Sequence, residues 1–316
     1  MRRLLAIISL LVAMLVVPAT ASARTSFGIH TAGDPFAGNT HKIDGLERSM
    51  GRNISLVSWF QSWGGDQWSS SMQPKMFRAV RGSKRRAMLT WEPWRQGDGP
   101  WQPNFSLSRI VGGAFDGYMA QWARGLRKLR HTVYLRPMHE MNGNWYPWGG
   151  TVNNNSPKLF KASWRRMVKI FRREGARNVR FVWSPVTEDW PITRSNRMEN
   201  YYPGRRYVHV LGMDGYNWGA GRPEFGGWRS FKKTFSRPYK RLRRLPGKQP
   251  IWIPEVGSSA IGGNKAMWIR GMFRTAKKMK QLKSITWMDT FADGQDWGVD
   301  YPAGNASAFK PGKQPR

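Results

Sequence analysis

The chain has 316 residues, no cysteine, and a formal net charge of +33 from 52 basic and 19 acidic side chains. Disulfides and thiolate metal sites are therefore excluded, and the fold must rest on its own core, which this length can bury. So large a positive charge draws a protein toward polyanions, with anionic cell-wall polymers a candidate partner.

Met1-Arg2-Arg3 is a short cationic start, Leu4 to Val17 is almost wholly apolar, and Ala21-Ser22-Ala23 has the small-x-small form of a signal peptidase site. The apolar run is shorter than the ~20 residues a membrane-spanning helix needs. The expectation is a signal peptide over 1–23 and a secreted, extracellular protein, wall-associated at most, with no membrane attachment after cleavage. Residues 24–316 are then one domain.

Eight β-rich runs follow in order: Ser26–His30, Ile54–Trp59, Arg86–Thr90, Thr132–Pro137, Val179–Trp183, Val208–Met213, Ile251–Pro254 and Ser284–Met288. Amphipathic helical stretches alternate with them. Phe115, Tyr118, Met119, Trp122, Leu126 and Leu129 fall at helical spacing, as do Phe160, Trp164, Met167, Val168 and Phe171, and again Ile269, Met272, Phe273, Ala276 and Met279. Each stripe predicts one buried helix face. Lys and Arg occupy the opposite faces on several helices, which argues against the single basic stripe of a dedicated nucleic-acid binder. Strand–helix alternation of this length predicts an α/β fold, a (β/α)8 TIM barrel. No Gly-x-Gly-x-x-Gly turn follows the first strand, which weakens a dinucleotide-binding alternative. The last helix is weak, with only Ala303–Phe309 to serve.

Chemistry on such a barrel sits where strands give way to loops. The scarce carboxylates gather there: Glu92, Glu140, Glu188, Asp189, Asp214, Glu255 and Asp289 each follow or end a strand. Aromatic residues accompany them, among them Trp91 and Trp94 around Glu92, and Trp145, Tyr146 and Trp148 after Glu140. A sugar ring stacks an apolar C–H face on indole while its hydroxyls need polar partners, so this rim reads as a polysaccharide cleft. Glycoside hydrolysis needs two carboxyl groups. The fourth and seventh strands end across the barrel mouth from each other, so Glu140 and Glu255 can converge. Arg136 and Tyr216 are available to stabilise an ionised Glu255; Trp145, Trp148 and Met141 offer an apolar wall to Glu140.

The segment Leu135-Arg136-Pro137-Met138-His139-Glu140-Met141-Asn142-Gly143-Asn144-Trp145-Tyr146-Pro147-Trp148-Gly149 resembles the signature of glycoside hydrolase family 26. Tyr201-Tyr202-Pro203-Gly204 with Val210 to Asn217, and Ile251-Trp252-Ile253-Pro254-Glu255-Val256-Gly257, are similar to that family's sixth- and seventh-strand regions. The resemblance implies a (β/α)8 fold, retention of configuration and no cofactor. It implies Glu140 as acid/base and Glu255 as nucleophile, with His139 orienting the acid/base and Tyr216 hydrogen-bonding the nucleophile. Trp145 is then expected beside the scissile bond and Trp287 under the sugar on the glycone side. Arg136, Trp148, Trp91 and Glu92 complete the expected substrate-binding rim.

The histidines His30, His41, His139 and His209 lack paired ligand spacing, so no metal is expected. The reading is a monomeric endo-β-glycanase cutting β-1,4 linkages in β-mannan or β-1,3-1,4-glucan; Tyr146-Pro147-Trp148 resembles the members acting on mixed-linkage glucan. A non-catalytic carbohydrate-binding barrel and a basic, wall-associated polyanion-binding protein are the alternative classes.

Overall fold

The computed structural model describes residues 25–65 and 71–311; the expected signal peptide lies outside the described residues. Strands β1 (Ser26–Thr31), β2 (Leu56–Gly64), β3 (Arg86–Arg95), β4 (Val133–Pro137), β5 (Val179–Trp183), β6 (Val210–Leu211), β7 (Gly215–Asn217), β8 (Ile251–Ser258) and β9 (Leu282–Asp289) form one parallel sheet. The sheet closes through β1 on β9, from Ser26 beside Ser284 to Thr31 beside Asp289, and through Leu211 beside Ile251. β6 and β7 are two halves of one barrel stave, so the closed sheet is the predicted (β/α)8 barrel.

Around it run α1 (His41–Met50), α2 (Pro74–Gly82), α3 (Leu107–Val111), α4 (Asp116–Lys128), α5 (Pro157–Arg173), α6 (Phe231–Arg243) and α7 (Lys265–Lys278). Their apolar stripes face the sheet: Met119, Trp122 and Leu126 on α4, and Phe160, Trp164, Met167, Val168 and Phe171 on α5, are buried. Ser156, Ser230 and Asn264 cap α5, α6 and α7 by accepting from the backbone N–H three residues on, which satisfies donors a helix start leaves orphaned. The basic residues predicted on the outer faces, such as Arg124, Lys169, Lys232 and Lys277, are exposed.

Strand residues alternate between this outer core and the barrel interior. A smaller apolar cluster inside joins Leu56, Met88, Val182, Val210 and Trp252, with Tyr134 packed on it and its ring 4.4 Å from that of Trp252. Gly28 leaves room for it, since a Cβ there would meet Leu56 at 2.9 Å.

Three strands outrun their sequence signal: β2 continues past Trp59 to Gly64, and two others carry glutamates. β3 continues through Glu92 to Arg95 and β8 through Glu255 to Ser258, so both glutamates sit on strands and not in loops. The predicted sixth strand instead breaks after Leu211. A side chain at Gly212 would meet Ser184 Oγ at 2.5 Å, and the kink turns Asp214 inward. The eighth helix is reduced to a 3₁₀ turn, Asn305–Phe309, whose Phe309 packs on Phe27, Phe273 and Trp287 at 5.7, 6.3 and 4.9 Å between ring centres. Phe309→Ala should cost about 3–5 kcal/mol of stability, checked by urea unfolding; a loss under 1 kcal/mol would show that the turn does not close the core.

Candidate active site

The loop leaving β4 carries the signature segment, and its backbone is unusual. Met138 and Glu140 both have left-handed φ, 49° and 52°, a conformation that costs residues with a Cβ of order 1 kcal/mol. It is held by Met138 N donating to Trp91 O at 3.2 Å and Glu140 N donating to Ser184 O at 2.7 Å. Asn142, fully buried, ties the loop to the one after β5: its Nδ2 donates to Val186 O and Asp189 Oδ1, and its Oδ1 accepts from Val186 N. Gly143 lets the indole of Trp145 fold back over the loop, because a Cβ would meet that ring at 2.5 Å. Trp145 Nε1 thereby reaches Glu140 Oε2 at 2.8 Å.

Arg136 lies at the centre, with none of its surface exposed. Its Nε and Nη2 donate to Thr90 Oγ1 at 2.9 and 2.6 Å, its Nη1 donates to Asp214 Oδ2 at 3.0 Å, and Nη2 also donates to Glu255 Oε1. Tyr216 OH donates to the other oxygen of Glu255 at 2.5 Å. Ser184 Oγ donates to Asp214 Oδ2 at 2.6 Å.

These partners set the charge states. Burial alone would keep Glu255 protonated, but Arg136 and the Tyr216 hydroxyl outweigh it and hold its carboxyl at about 2. Glu140 is pushed well above the usual carboxylate range, first by burial and then by the negative charge of Glu255. Burial also lifts Glu92 to about 8, with Glu255 adding to the rise. Asp214 rises to about 8 because burial and Glu255 together exceed the pull of Arg136, whose single charge is taken up by Glu255. His139 drops to about 3 through burial and the nearby guanidinium, so it is neutral.

The structure thus brings together Glu140, Glu255, Arg136, His139, Glu92, Trp145 and Tyr216. It assigns His139 differently from the expectation: its ring nitrogens are aimed not at the Glu140 carboxyl but elsewhere, with Nε2 3.7 Å from Glu255 Oε1 and hydrogen-bonded to Tyr146 OH at 3.1 Å. Three expected sugar-binding tryptophans are corrected. Trp91 points outward from β3 into the helix layer, against Tyr118, Trp122 and Phe171, because its neighbour Glu92 takes the inward position. Trp287 likewise faces α7 and the final turn, fully buried, with Nε1 donating to Trp297 O at 2.8 Å. Trp148 is buried behind His139, donating to its carbonyl at 2.6 Å and stacked on Tyr146, so it braces the loop from behind.

Thr90 and Ser184 went unnoticed in the sequence, having no signal beyond a strand-end hydroxyl. Trp297, whose ring packs 4.9 Å from Tyr216 and 5.3 Å from Trp218, comes from the loop after β9 and shows no pattern. Of the other rim carboxylates, Glu188 pairs with Arg229, Asp189 with Arg241, and Asp289 accepts from Thr31 Oγ1 and Val299 N; they hold loops. No group of three His, Asp or Glu among the described residues is placed to hold a metal ion.

Residues 109–235, which include Glu140 and Tyr216, match the model of glycosyl hydrolase family 26. The chain belongs to glycoside hydrolase family 26. Endoglucanase H of Acetivibrio thermocellus is 33% identical over 271 residues, covering 85% of this chain and 28% of that protein. A mannan endo-1,4-beta-mannosidase of Bacillus subtilis is 28% identical over 262 residues, covering 78% of this chain and 62% of its own length. The chain therefore spans less than two thirds of either relative. The catalytic domain of a Bacillus sp. JAMB-750 family 26 endo-beta-1,4-mannanase shares the fold with a TM-score of 0.67 at 18% identity, over 90% of this chain and 85% of that one. A family 26 beta-mannanase from Bacteroides ovatus does so at 0.63 and 18%, over 92% and 87%.

Two outcomes follow from the electrostatics of the family 26 site. Arg136→Met removes the charge that keeps Glu255 ionised, so the acid limb of kcat/KM should move to higher pH and the rate fall ~10²–10³-fold; an unmoved limb would contradict the assignment. Glu92 binds its proton more tightly folded than unfolded, so it withdraws stability as pH rises from about 4.5 to about 8. Glu92→Gln should therefore flatten the fall in melting temperature across that window by about 2 °C or more, measured by calorimetry.

Proposed function

We propose that the protein is a retaining endo-β-glycanase acting by double displacement, exported to work outside the cell. The observation that carries the reading is the pair of opposite charge states at the barrel mouth: Glu255 held ionised by Arg136 and Tyr216, Glu140 held protonated by burial. In the first step a Glu255 oxygen attacks the anomeric carbon while Glu140 gives its proton to the departing glycosidic oxygen, leaving a covalent glycosyl ester. Forming that ester cancels the charge of Glu255, which is the second cause of the raised Glu140 affinity for protons. Glu140 is then a carboxylate able to take a proton from the incoming water, whose oxygen attacks the same carbon and frees Glu255. Trp145, half-buried and bonded to Glu140, keeps the acid aimed through both steps.

The backbone proposed is glucan with mixed β-1,3 and β-1,4 links. Support comes from the name of a relative matched over 85% of this chain, an endoglucanase, and from Pro147 between Tyr146 and Trp148. β-Mannan is the second reading, supported by the mannanase relatives. The test is product release from barley-type mixed-linkage glucan and from galactomannan. Glu140→Gln and Glu255→Ala should each lower turnover by ~10³-fold or more with the fold kept by circular dichroism, and the first-formed sugar should keep the β configuration by NMR. Wild-type turnover in either variant would overturn the assignment; release from galactomannan alone would replace glucan by mannan. Oligosaccharide binding without any product would favour the binding-barrel reading.

A further inference from the structure

The +33 charge is unevenly answered by carboxylates. Elsewhere the cations are answered in part: Arg85, which follows α2, bridges Asp44 and Glu47 of α1, Arg124 of α4 pairs with Glu174, and Arg166 of α5 with Asp116. Helix α6 carries Lys232, Lys233, Arg237, Lys240, Arg241 and Arg243 and no acidic residue. Of these, Arg241 alone is anchored among the described residues, by Asp189 and Glu199, and Arg197 beside it shares Glu199 at 3.6 Å. Lys233, Arg237 and Arg241 stand four residues apart, a like-charge spacing that costs a helix a few tenths of a kcal/mol per pair.

The shape matches the charge. Two cavities of about 590 and 570 Å³ flank α6, one toward Arg197 and Arg244, the other between α6 and α7 toward Arg274, Lys277 and Lys278. They share Lys232, Ser236 and Lys240 as the ridge between them. From Lys232 to Arg244 the cations run ~18 Å along the helix axis. No aromatic platform is exposed here: Tyr239 and Met279, the apolar lining, are both buried. That removes the stacking surface which single-stranded bases use, and which a sugar ring needs. What fits is a thin chain recognised by its charge alone.

We propose that the α6–α7 wall binds a linear phosphodiester polymer whose backbone contains no rings. The wall descends from the rim at Ser230 along the outside of the barrel, so a chain held there leaves the mouth above Glu140 and Glu255 open. The unpaired ammonium groups supply point charges to successive phosphates, and Ser236 offers a hydroxyl between them. Binding releases counterions and weakens as salt rises. This site stands apart from the glycanase reading and holds whether or not that reading does.

The test uses the full chain and fluorescein-labelled poly(glycerol phosphate), followed by anisotropy between about 50 and 200 mM NaCl. One variant carries Lys232→Ser, Lys240→Ser and Lys277→Ser; the control removes equal charge elsewhere through Lys128→Ser, Lys158→Ser and Lys169→Ser. The wall variant should bind at least tenfold more weakly, with its slope of log affinity on log salt reduced by about 2–3. The control should change less than threefold, and neither should alter glycan turnover or lower the melting temperature. Equal losses in the two variants would overturn the proposal in favour of undirected surface charge. Tighter binding of polygalacturonate or of duplex DNA than of poly(glycerol phosphate), at matched charge concentration, would overturn the assigned polymer.

Discussion

The buried guanidinium of Arg136 is the interaction on which the site depends. Taking a cation out of water costs several kcal/mol and is recovered only with well-placed partners. Here the partners come from three other staves: Thr90 on β3, Asp214 at the kink between β6 and β7, and Glu255 on β8. Register at the barrel mouth is thereby coupled to charge. A stave displaced by one residue would bury an unpaired charge, so the geometry of the mouth is enforced by electrostatics as well as by packing.

One cation among four buried carboxyl groups also decides protonation. Glu255 takes the charge because it alone receives both the guanidinium and the Tyr216 hydroxyl. Glu140, Glu92 and Asp214 are then left to burial and to the repulsion of Glu255, and all three hold protons more tightly than free carboxylates. The buried cluster settles at one anion, one cation and three neutral acids, close to neutral overall. Glu140 and Glu255 are the same residue type, and their proton affinities are set apart by which of them the arginine reaches.

The barrel was legible in the sequence because helix and strand periodicities both report burial, and a parallel barrel buries every stave. The loop bearing Glu140, and Glu255 on β8, were legible because a local motif marks each. The aromatic rim was not. Trp91 and Trp287 sit on strands, where neighbours point to opposite faces, and Trp148 sits on the β4 loop with its indole turned back to the His139 carbonyl. Proximity to Glu92 on β3 was therefore evidence for the helix layer, not for the cleft, and the same parity sends Trp287 outward. Composition misled in another way: so many indoles in one chain fill the space between sheet and helices, where Trp91, Trp122, Trp164 and Trp183 are all buried. Thr90, Ser184 and Trp297 act through contacts made only when distant segments close, and nothing local announces them.

So many cations would, at close range, depress every carboxyl pKa in the protein, yet that of Glu140 is raised. Distance and screening resolve this. The exposed ammonium groups act through water, where charges beyond a Debye length of about 8–10 Å are largely screened. The active-site carboxyls are buried in the barrel mouth, where one nearby anion and the loss of solvent dominate. Exterior charge and interior proton affinity are thus separable: the helix faces can carry a strong positive field while Glu140 keeps its raised affinity for a proton. The same separation lets the outer wall vary in charge over evolution or by design without disturbing the proton on Glu140.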